Sequence, residues 1–465
     1  MKLKDSLRHN PISLLYDEAN LTNRIRWSLT FILLGNVFGS AHGVICGGGT
    51  TAMIGLATEL GANDLAFGIL AAIPQFAALL QLPFSFLVSR TQKRKKYLLT
   101  LGVFSRALWL FFGLVPYFLP MASATMQLWI IIFLLGISSC CGSVINVCWF
   151  PWMSELLPMS IRGRFLSIRE SIIAASSAVF GFITAFLLEN LAIDIRYAVI
   201  FVIGGFVGII DMVAFGFCEE VYSTPPSKQS IFKTMGTVLK NKPFVRFTIM
   251  WTVWCFAANM SGVYLHPYSM NVMGLGFMDI MIFANIASAV VTIFVMPMWG
   301  KLIDGFGCRN VMLIASVVAS LSPLFYLFSS PGNIWPTLLH HTVGPLFWCG
   351  ANLTANNMQI LCSPADTRPT HIAFFSCITA LGGGMLGSLA GGALLEAWHS
   401  AGMFTGVLDR YKVLFIVACT IRIVGVLVLV PMFDKDNEKK PLELAKHMLT
   451  ALTFPTIRRS LHHHK

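Results

Sequence analysis

Long apolar stretches separated by short polar turns make up most of the chain. A membrane-spanning helix needs about 20 mostly apolar residues, and by that rule the sequence predicts twelve spans. Their approximate centres are Gly39, Ala77, Leu108, Ile137, Val179, Gly208, Ala258, Ala287, Val318, Phe347, Gly384 and Val424. We therefore expect an all-α polytopic membrane protein with twelve transmembrane helices.

The composition is that of a chain embedded in a lipid bilayer. The protein has 465 residues, of which 56% are hydrophobic and only 12% are charged, whereas a soluble domain is nearer a quarter charged. The formal net charge of +12 could suggest a nucleic-acid partner. The basic residues lie in short turns between apolar stretches, however, as the positive-inside rule expects, so we expect no nucleic acid.

The distribution of Lys and Arg predicts the orientation of the spans. With the N-terminus placed inside, only Arg196, Arg410 and Lys412 fall on the outer side. Because basic residues are retained on the cytoplasmic side, both termini are expected to be cytoplasmic. An inner or plasma membrane is the default location for such a multi-pass protein.

The spans are expected to form two six-helix halves joined by a linker. The predicted segments are a cytoplasmic N-terminal segment (1–26), an N-terminal half (27–220), a linker (221–243), a C-terminal half (244–433) and a cytoplasmic tail (434–465). In the linker, Ile231, Phe232, Met235 and Val238 fall on one helical face. That spacing is typical of an amphipathic helix lying at the membrane interface.

The two halves repeat the same motifs at corresponding places. Glu155-x-x-Pro158-x-x-x-Arg162 follows the fourth span, and Pro364-x-x-x-Arg368 follows the tenth. Asn146 and Asn352 stand at equal distances before those prolines. Parallel repeats of this kind, related by an axis along the membrane normal, belong to one architecture of secondary transporters.

Two of these turns carry a family resemblance. Gly300-x-x-x-Asp304-x-x-Gly307-x-Arg309, together with the turn at Glu155, resembles the signatures of the major facilitator superfamily of secondary transporters. With the twelve spans, the resemblance covers nearly the whole chain. It implies two pseudo-symmetric six-helix halves that move about a site near the middle of the membrane. The chain departs from the pattern at Ser89, where the family usually has Asp, and at Leu361, where the first half has Glu155.

The resemblance also implies that these turns form a cytoplasmic gate. We expect Asp304 to pair with Arg368. Because Ser89 cannot act as an acid, we expect Glu155 to pair with Arg90 or Arg94. The remaining bases of the gate motifs are Arg162 and Arg309. The alternative interpretation is a set of solvated loop charges that follow the positive-inside rule.

In the superfamily, as the resemblance implies, the first, fourth, seventh and tenth spans line the substrate cavity, with the second, fifth, eighth and eleventh behind them. Polar residues there are expensive in lipid and tend to face the interior. The candidates for substrate binding are Asn36, His42, Gln75, Asn146, Trp149, Asn259, His266, Asn352 and Asn356. Amides and imidazoles among aromatic rings suit a neutral polar solute, such as a sugar or a nucleoside. For each Asn, an interhelical hydrogen bond is the alternative.

Charges within the spans need separate explanations. Arg106 and Asp211 lie at similar depths, and we predict a structural ion pair between them, since pairing avoids an uncompensated buried charge. Glu170 is the first candidate for a carboxylate that titrates during coupling. His42 is the alternative proton carrier, because imidazole changes charge near neutral pH. A satisfied structural histidine is the competing interpretation.

The sequence contains no Walker motif, metal-ligand spacing or nucleophile constellation, so we expect neither an enzyme nor a cofactor or metal. The expected function is secondary active or facilitative transport of a small organic solute by alternating access in a monomer. Proton symport is one form that this transport could take. The alternatives are export of amphipathic compounds and a transporter-like sensor or scaffold. The sequence leaves the solute, the direction and the coupling ion open.

Overall fold

The structure is a computed structural model. It describes residues 21–91, 93–157, 159–220, 236, 238–282, 288–364, 368–406 and 408–429. The interfacial helix predicted for the linker and the cytoplasmic tail (434–465) fall outside this part of the chain, apart from a few linker residues.

Helices joined by short turns form the first part of the chain. Helices α1 to α9 are Asn23–Ile45, Thr51–Glu59, Asp64–Ala77, Gln81–Thr91, Arg94–Phe112, Val115–Phe118, Ala124–Leu156, Met159–Asn190 and Ile193–Gly216. A 3-10 turn, Ala78–Leu80, connects α3 to α4. Pro74 lies inside α3, and proline removes a backbone donor and disturbs the helix around it. The expected second span is accordingly built from shorter pieces.

The second part of the chain is also helical. Helices α10 to α18 are Lys242–Gly262, Leu265–Asn271, Phe277–Met281, Ser288–Phe306, Cys308–Leu321, Trp335–Leu361, Arg368–Ile378, Leu386–Ser400 and Arg410–Leu429. A 3-10 segment, Ser322–Phe328, continues α14, and a π-helical segment, Thr379–Met385, connects α16 to α17. The all-α fold class expected from the sequence is therefore what the structure has.

Seven helical stretches of the described residues are long and apolar enough to cross a membrane. They are Asn23–Ile45, Ala124–Trp149, Ile168–Asn190, Ile193–Gly216, Cys308–Phe328, His371–Ser400 and Arg410–Val428. These correspond to the expected first, fourth, fifth, sixth, ninth, eleventh and twelfth spans. The expected eighth span crosses residues 283–287, which lie outside the described residues. The expected third span, α5, begins with three basic residues, Arg94 to Lys96, which lower its hydropathy.

The chain divides into two compact units. The N-terminal unit comprises Met1–Gln229, Val263–Asn285 and Ser388–Glu396, and the C-terminal unit comprises Ser230–Gly262, Ile286–Gly387 and Ala397–Lys465. The N-terminal unit therefore extends beyond the expected half, 27–220.

Two contacts help to explain why the N-terminal unit includes segments beyond residue 220. Within the N-terminal unit, the Tyr264 hydroxyl donates to the Ser388 carbonyl at 2.9 Å. A Cβ added to Gly68 would lie 2.7 Å from the Tyr264 hydroxyl oxygen, so Gly68 lets α3 approach this tyrosine closely.

The expected first span is broken near its C-terminal end. Helix α1 ends at Ile45 and α2 begins at Thr51, with three glycines among the residues between them. The Thr50 hydroxyl donates to the Ile45 carbonyl at 3.0 Å and accepts from Met53 N at 3.4 Å, so it caps both ends of the break. A Cβ on Gly48 would lie 2.1 Å from the Leu70 carbonyl oxygen, which leaves no room for a side chain.

Glycines in and just after the π-helical segment lie in close contact with α10. A Cβ added to Gly387 would lie 2.3 Å from the Phe256 carbonyl oxygen on α10. One added to Gly383 would lie 2.6 Å from Cys255 Cβ. Small residues at such contacts let two helix backbones approach each other, as is common in membranes.

Tryptophans on α10 form much of the core of the C-terminal unit. The Trp254 ring is buried, with its centroid 4.8 Å from that of Trp251 and 4.5 Å from that of Trp348. Its indole Nε1 donates to Ser320 Oγ on α14 at 3.1 Å. The buried Arg422 guanidinium lies over the same ring, 4.5 Å from its centroid. A cation over an aromatic face is attracted by the ring quadrupole, so Trp254 partly offsets the burial of this charge.

Ser320 and Ser316 give a matched pair for testing the core of the C-terminal unit. Both are buried one turn apart on α14, but the Ser316 hydroxyl has no hydrogen-bond partner in the described residues. Replacing Ser320 by Ala should lower the free energy of unfolding by about 1 kcal/mol, because the Trp254 N–H loses its acceptor. Ser316→Ala should leave stability unchanged or raise it. Thermal unfolding of both variants in detergent measures the difference, and equal melting temperatures would contradict it.

Candidate functional site

A cavity of about 490 Å³ in the N-terminal unit lies at the break between α1 and α2, and we call it the break cavity. Helix α8 supplies the longest part of its wall, and α11 and α12 contribute one residue each. Its lining residues are Ser40, Gly43, Val44, Gly49, Thr50, Thr51, Ile173, Ser177, Gly181, Thr184, Ala185, Leu188, His266 and Met281. The interrupted backbone thus lines a cavity, which is where irregular backbone is tolerated at membrane depth.

The polar groups of the break cavity are neutral hydroxyls and one imidazole. None of its described lining residues is an acid, a lysine or an arginine. The hydroxyls come from Ser40, Thr50, Thr51, Ser177 and Thr184. The hydroxyls of Ser40, Thr50 and Thr184 already donate to backbone carbonyls, so they offer acceptors to a ligand. The lining therefore complements an uncharged solute that carries hydroxyl groups of its own.

A second cavity, of about 270 Å³, lies between α3, α4, α5 and α7 of the same unit. We call it the arginine cavity, because Arg106 is its charged residue. Its lining residues are Pro74, Ala78, Gln81, Arg106, Ser139, Gly142, Ser143, Ile145 and Asn146. It therefore combines a cation with two amides and two hydroxyls.

Arg106, Asp211 and His42 form a buried polar cluster, which we call the polar cluster. Arg106 Nη2 is 3.6 Å from Asp211 Oδ2, with the two side chains 20% and 5% exposed. His42 is 3% exposed, and its Nδ1 lies 2.9 Å from the Gly204 carbonyl oxygen. The Trp109 ring meets the His42 ring edge-on, with centroids 6.1 Å apart. The structure thus brings together the two residues of the predicted ion pair, with the alternative proton carrier close by.

Glycines make the room for this cluster. A Cβ on Gly39 would lie 3.0 Å from Asp211 Oδ2, and one on Gly35 would lie 3.4 Å from Oδ1. A Cβ on Gly208 would lie 2.5 Å from His42 Nδ1 and 2.8 Å from Arg106 Cδ. Gly35 and Gly39 stand four residues apart on α1, and Gly208 lies on α9. The glycines that let these two helices approach each other therefore also leave the space that the buried polar side chains occupy.

Two of the predicted substrate-binding residues line the cavities. Asn146 lines the arginine cavity and His266 lines the break cavity. Asn36 and Asn259 instead donate to carbonyls one turn earlier in their own helices, Ile32 at 2.6 Å and Cys255 at 2.8 Å. Such local bonds are frequent for polar side chains within helices, and neither residue lines a cavity described above.

The other candidates for substrate binding have varied surroundings. His42 is buried in the polar cluster rather than facing a cavity. Gln75 and Asn352 are half-buried and Asn356 is exposed. The half-buried Trp149 ring packs on Phe215, with centroids 4.5 Å apart. None of these five residues lines either of the two cavities.

The first coupling candidate, Glu170, lies on α8 with its side chain 65% exposed, and it pairs with the neighbouring Arg169. It lines neither cavity. An exposed pair between adjacent residues adds little to stability and does not by itself indicate a coupling site. The other coupling candidate, His42, lies beside Arg106, since a Cβ on Gly208 would meet both side chains.

The gate motifs are described only in part. Gly307 has φ of 81° between α13 and α14, a conformation that favours glycine, so the motif glycine is explained by the turn. Arg94 is buried at the start of α5, and Arg309 is half-buried in the first turn of α14. The predicted gate side chains that lie outside the described residues are Asp304, Arg368, Glu155, Arg162 and Arg90.

Sequence reasoning missed several cavity residues. Gln81 and the serines of α7, Ser139 and Ser143, were not among the candidates, nor were Ser177 and Thr184 of α8. Serines and threonines in spans usually bond to their own backbone, so their presence alone does not mark a site. Arg106 was predicted only as a structural partner. Its charge at membrane depth was the available signal.

The Major Facilitator Superfamily family model matches residues 37–361 and 286–463 of the chain. No curated protein matches it significantly.

Solved transporter structures share the fold. The nucleoside transporter NupG has a TM-score of 0.61 at 13% identity, covering 89% of this chain and 100% of its own. A D-xylose–proton symporter has a TM-score of 0.63 at 13% identity, covering 89% of this chain and 98% of its own. A bacterial homologue of the human lysosomal transporter Spinster, inward-facing and unoccupied, has a TM-score of 0.59 at 14% identity, covering 90% and 100%. At these identities the likeness concerns the fold.

Gly208→Ala tests the polar cluster. The added methyl group would collide with His42 Nδ1 and Arg106 Cδ, so the imidazole should move off the Gly204 carbonyl. We expect a loss of about 1–3 kcal/mol, typical of overpacking. Gly216→Ala on the same helix is the control, because its nearest atoms, in Leu99, are 3.8 Å from the added Cβ. Thermal unfolding compares the two, and an unchanged melting temperature for Gly208→Ala would contradict the close packing.

Proposed function

Because the chain belongs to the major facilitator superfamily and is therefore a multi-pass membrane transporter rather than an enzyme, we propose that its solute is small, neutral and polar. A sugar or a nucleoside-like molecule fits best. Transport proceeds by alternating access, the mechanism expected for this architecture. Coupling to a proton is the form that we favour.

The break cavity is the observation that carries this proposal. Its volume of about 490 Å³ falls within the range of small-molecule sites, about 300–1,000 Å³. Its hydroxyls and the His266 imidazole can exchange hydrogen bonds with a hydroxylated solute. Val44, Ile173 and Leu188 offer apolar surface to the other face of such a molecule. A charged solute would leave its charge without a partner there, which is costly away from water.

The fold neighbours are named for several kinds of solute, including peptides and metals as well as hydroxylated molecules. One is named for nucleosides and another for D-xylose with protons. Both kinds of solute are neutral and rich in hydroxyls. The proposal for this chain rests on its own cavity lining, with which these two names agree.

The cytoplasmic gate is part of the proposed mechanism. Asp304 with Arg368, and Glu155 with Arg90 or Arg94, would hold the cytoplasmic side closed in one state and exchange partners in the other. Arg162 and Arg309 complete the basic side of the gate. Packed elements that have two alternative arrangements make a transition all-or-none, which is what a transport cycle requires.

The remaining assignments extend the expectations drawn from the sequence. We propose that both termini are cytoplasmic, that the protein resides in a plasma or inner membrane as a monomer, and that 27–220 and 244–433 are the two repeated halves. For proton coupling, His42 and Glu170 are the candidates, and His42 is the first choice because it belongs to the polar cluster. His42→Gln and Glu170→Gln, each assayed for uptake with and without a pH gradient, distinguish between them.

Gly43→Leu tests the break cavity as the solute site. Gly43 lines the cavity, and a Cβ there meets no atom within 4 Å, so leucine should fill the cavity without disturbing the fold. We expect uptake of a labelled pentose, hexose and nucleoside panel into proteoliposomes to fall at least about tenfold, because the solute loses its volume and hydrogen-bond partners.

Gly136→Leu on α7 is the matched control, since its Cβ also meets no atom within 4 Å but lines neither cavity. Normal uptake in both variants would remove the break cavity from the mechanism. Flux of amphipathic cations but of no panel member would replace the proposed substrate with the exporter alternative. No flux of any solute, together with a protein captured by the tail, would favour the sensor alternative.

Asp304→Asn tests the gate. Losing the charge should slow the transport cycle about tenfold while the dissociation constant of the solute changes little, because the gate residue does not contact the solute. Lys301→Gln, an exposed change on the same helix, is the control. Uptake rates and equilibrium binding are measured on the same preparations. A pure loss of binding with an unchanged rate would contradict the gate.

A further inference from the structure

We propose that the arginine cavity binds a small monocarboxylate, with Arg106 as its counter-ion and Asp211 as the resident acid that the ligand displaces from Arg106. This site is separate from the break cavity, and the proposal does not depend on which solute the break cavity takes.

The charge of the lining determines the class of ligand. Arg106 is its cation, and none of the nine described lining residues is an acid. Gln81 and Asn146 carry amide N–H donors, and the Ser139 hydroxyl can donate as well. Donors placed around one cation complement a carboxylate, whose two oxygens accept several hydrogen bonds.

Arg106 has unused capacity to bind it. A guanidinium has five N–H donors in a planar fork. The separation of 3.6 Å between Arg106 Nη2 and Asp211 Oδ2 is longer than a normal hydrogen bond of about 2.7–3.2 Å. The buried Nε has no hydrogen-bond partner in the described residues. The pair with Asp211 therefore compensates the charge of Arg106 without using all five of its N–H groups. We expect a carboxylate in the cavity to bond to the exposed part of the guanidinium, since the Arg106 side chain is 20% exposed and lines the cavity.

Asp211 pairs with Arg106 but is not part of the cavity lining. Gly35 and Gly39 provide the space for its carboxylate. When a ligand takes Arg106, Asp211 becomes a buried acid without its cation, which is strongly unfavourable unless the group takes up a proton. Carboxylate binding and proton uptake by Asp211 should therefore occur together.

Other groups near Arg106 have to be considered for this proton. His42 and Cys46, at the end of the first span, are within the electrostatic reach of Arg106. A protonated His42 would add a second cation and would also favour an anion. Only Asp211, however, competes directly with the ligand for Arg106, so removing its charge separates the two explanations.

The size of the cavity limits the ligand. A volume of about 270 Å³ is slightly below the usual range for drug-sized ligands, so a carboxylate of a few carbon atoms fits. The apolar wall consists of Pro74, Ala78 and Ile145. A short hydroxy- or keto-carboxylate places its charge at Arg106, its oxygen at the amides and its carbon atoms against that wall.

Calorimetric titration of the full-length protein in nanodiscs tests the site. L-lactate is the probe, and lactamide, which has the same shape without the charge, is the control ligand, in chloride-free buffer. We expect lactate to bind at least about tenfold more tightly than lactamide, because only the carboxylate pairs with Arg106. Affinity for lactate should rise as the pH falls from about 8 to about 6, since Asp211 takes up a proton as lactate binds.

Four variants give the proposal its sharpest test. Arg106→Gln should abolish lactate binding. Asp211→Asn should tighten it about tenfold and remove the pH dependence, because Arg106 no longer has a competing acid. Arg24→Gln removes an exposed cation and should change nothing. Should Arg106→Gln fail to fold, Asn146→Leu fills the cavity without touching the ion pair and should also abolish binding.

Several outcomes would overturn the proposal. Equal binding of lactate and lactamide would exclude an ion-pairing site. Weaker lactate binding by Asp211→Asn would show that the Arg106–Asp211 pair holds the site together instead of competing with it. Equal competition by chloride would make it a simple halide site. Loss of lactate binding in Gly43→Leu but not in Asn146→Leu would place the ligand in the break cavity. Absence of sugar uptake by the unmodified protein, in contrast, bears only on the proposed solute and not on the carboxylate site.

Discussion

The close contact between α1 and α9 determines much of the N-terminal unit. Glycines on both helices bring the two backbones together, and the space that they leave admits Asp211, His42 and the end of Arg106. Lipid offers no partner to a charge at this depth. A buried acid there needs a cation, and Arg106 on the neighbouring helix α5 supplies it while also lining a cavity. The close packing of the glycines and the positions of the buried charged side chains therefore depend on each other.

The break between α1 and α2 gives the unit its second feature. A continuous first span would carry its hydroxyls along one helical face. The break instead turns Gly49, Thr50 and Thr51 toward α8, where Ser177 and Thr184 stand. The resulting cavity is neutral, whereas the arginine cavity is positively charged. Two cavities of different chemistry in one unit allow a transporter to recognise two kinds of ligand without overlap of their sites.

Much of the fold could be read from the sequence, and much of the site could not. Apolar length and the bias of basic residues are strong signals, because the bilayer penalises every exception, and the all-α fold followed from them. The depths of Arg106 and Asp211 were enough to predict that they would meet. The sequence did not indicate whether a polar side chain faces a cavity or bonds to its own helix. Asn36 and Asn259 satisfy themselves on their own helices, while Asn146 faces a cavity, and nothing in the local sequence separates the three. The break at Gly47 to Gly49 was also beyond sequence reasoning, since the same glycines suit a continuous helix in tight contact with its neighbour.

The π-helical segment Thr379–Met385 has a consequence for how this chain tolerates insertions and deletions. A π turn accommodates one more residue than an α turn without lengthening the helix in proportion, so every residue after it is rotated about the helix axis by roughly the angle of one residue, about 100°. Gly387 meets the Phe256 carbonyl, and Gly392 meets the Tyr264 hydroxyl, only in that rotated phase. The π-helical segment therefore determines the rotation of the helix that follows it. Deletion of a single residue from this segment would place a residue with a side chain at each contact that now requires a glycine.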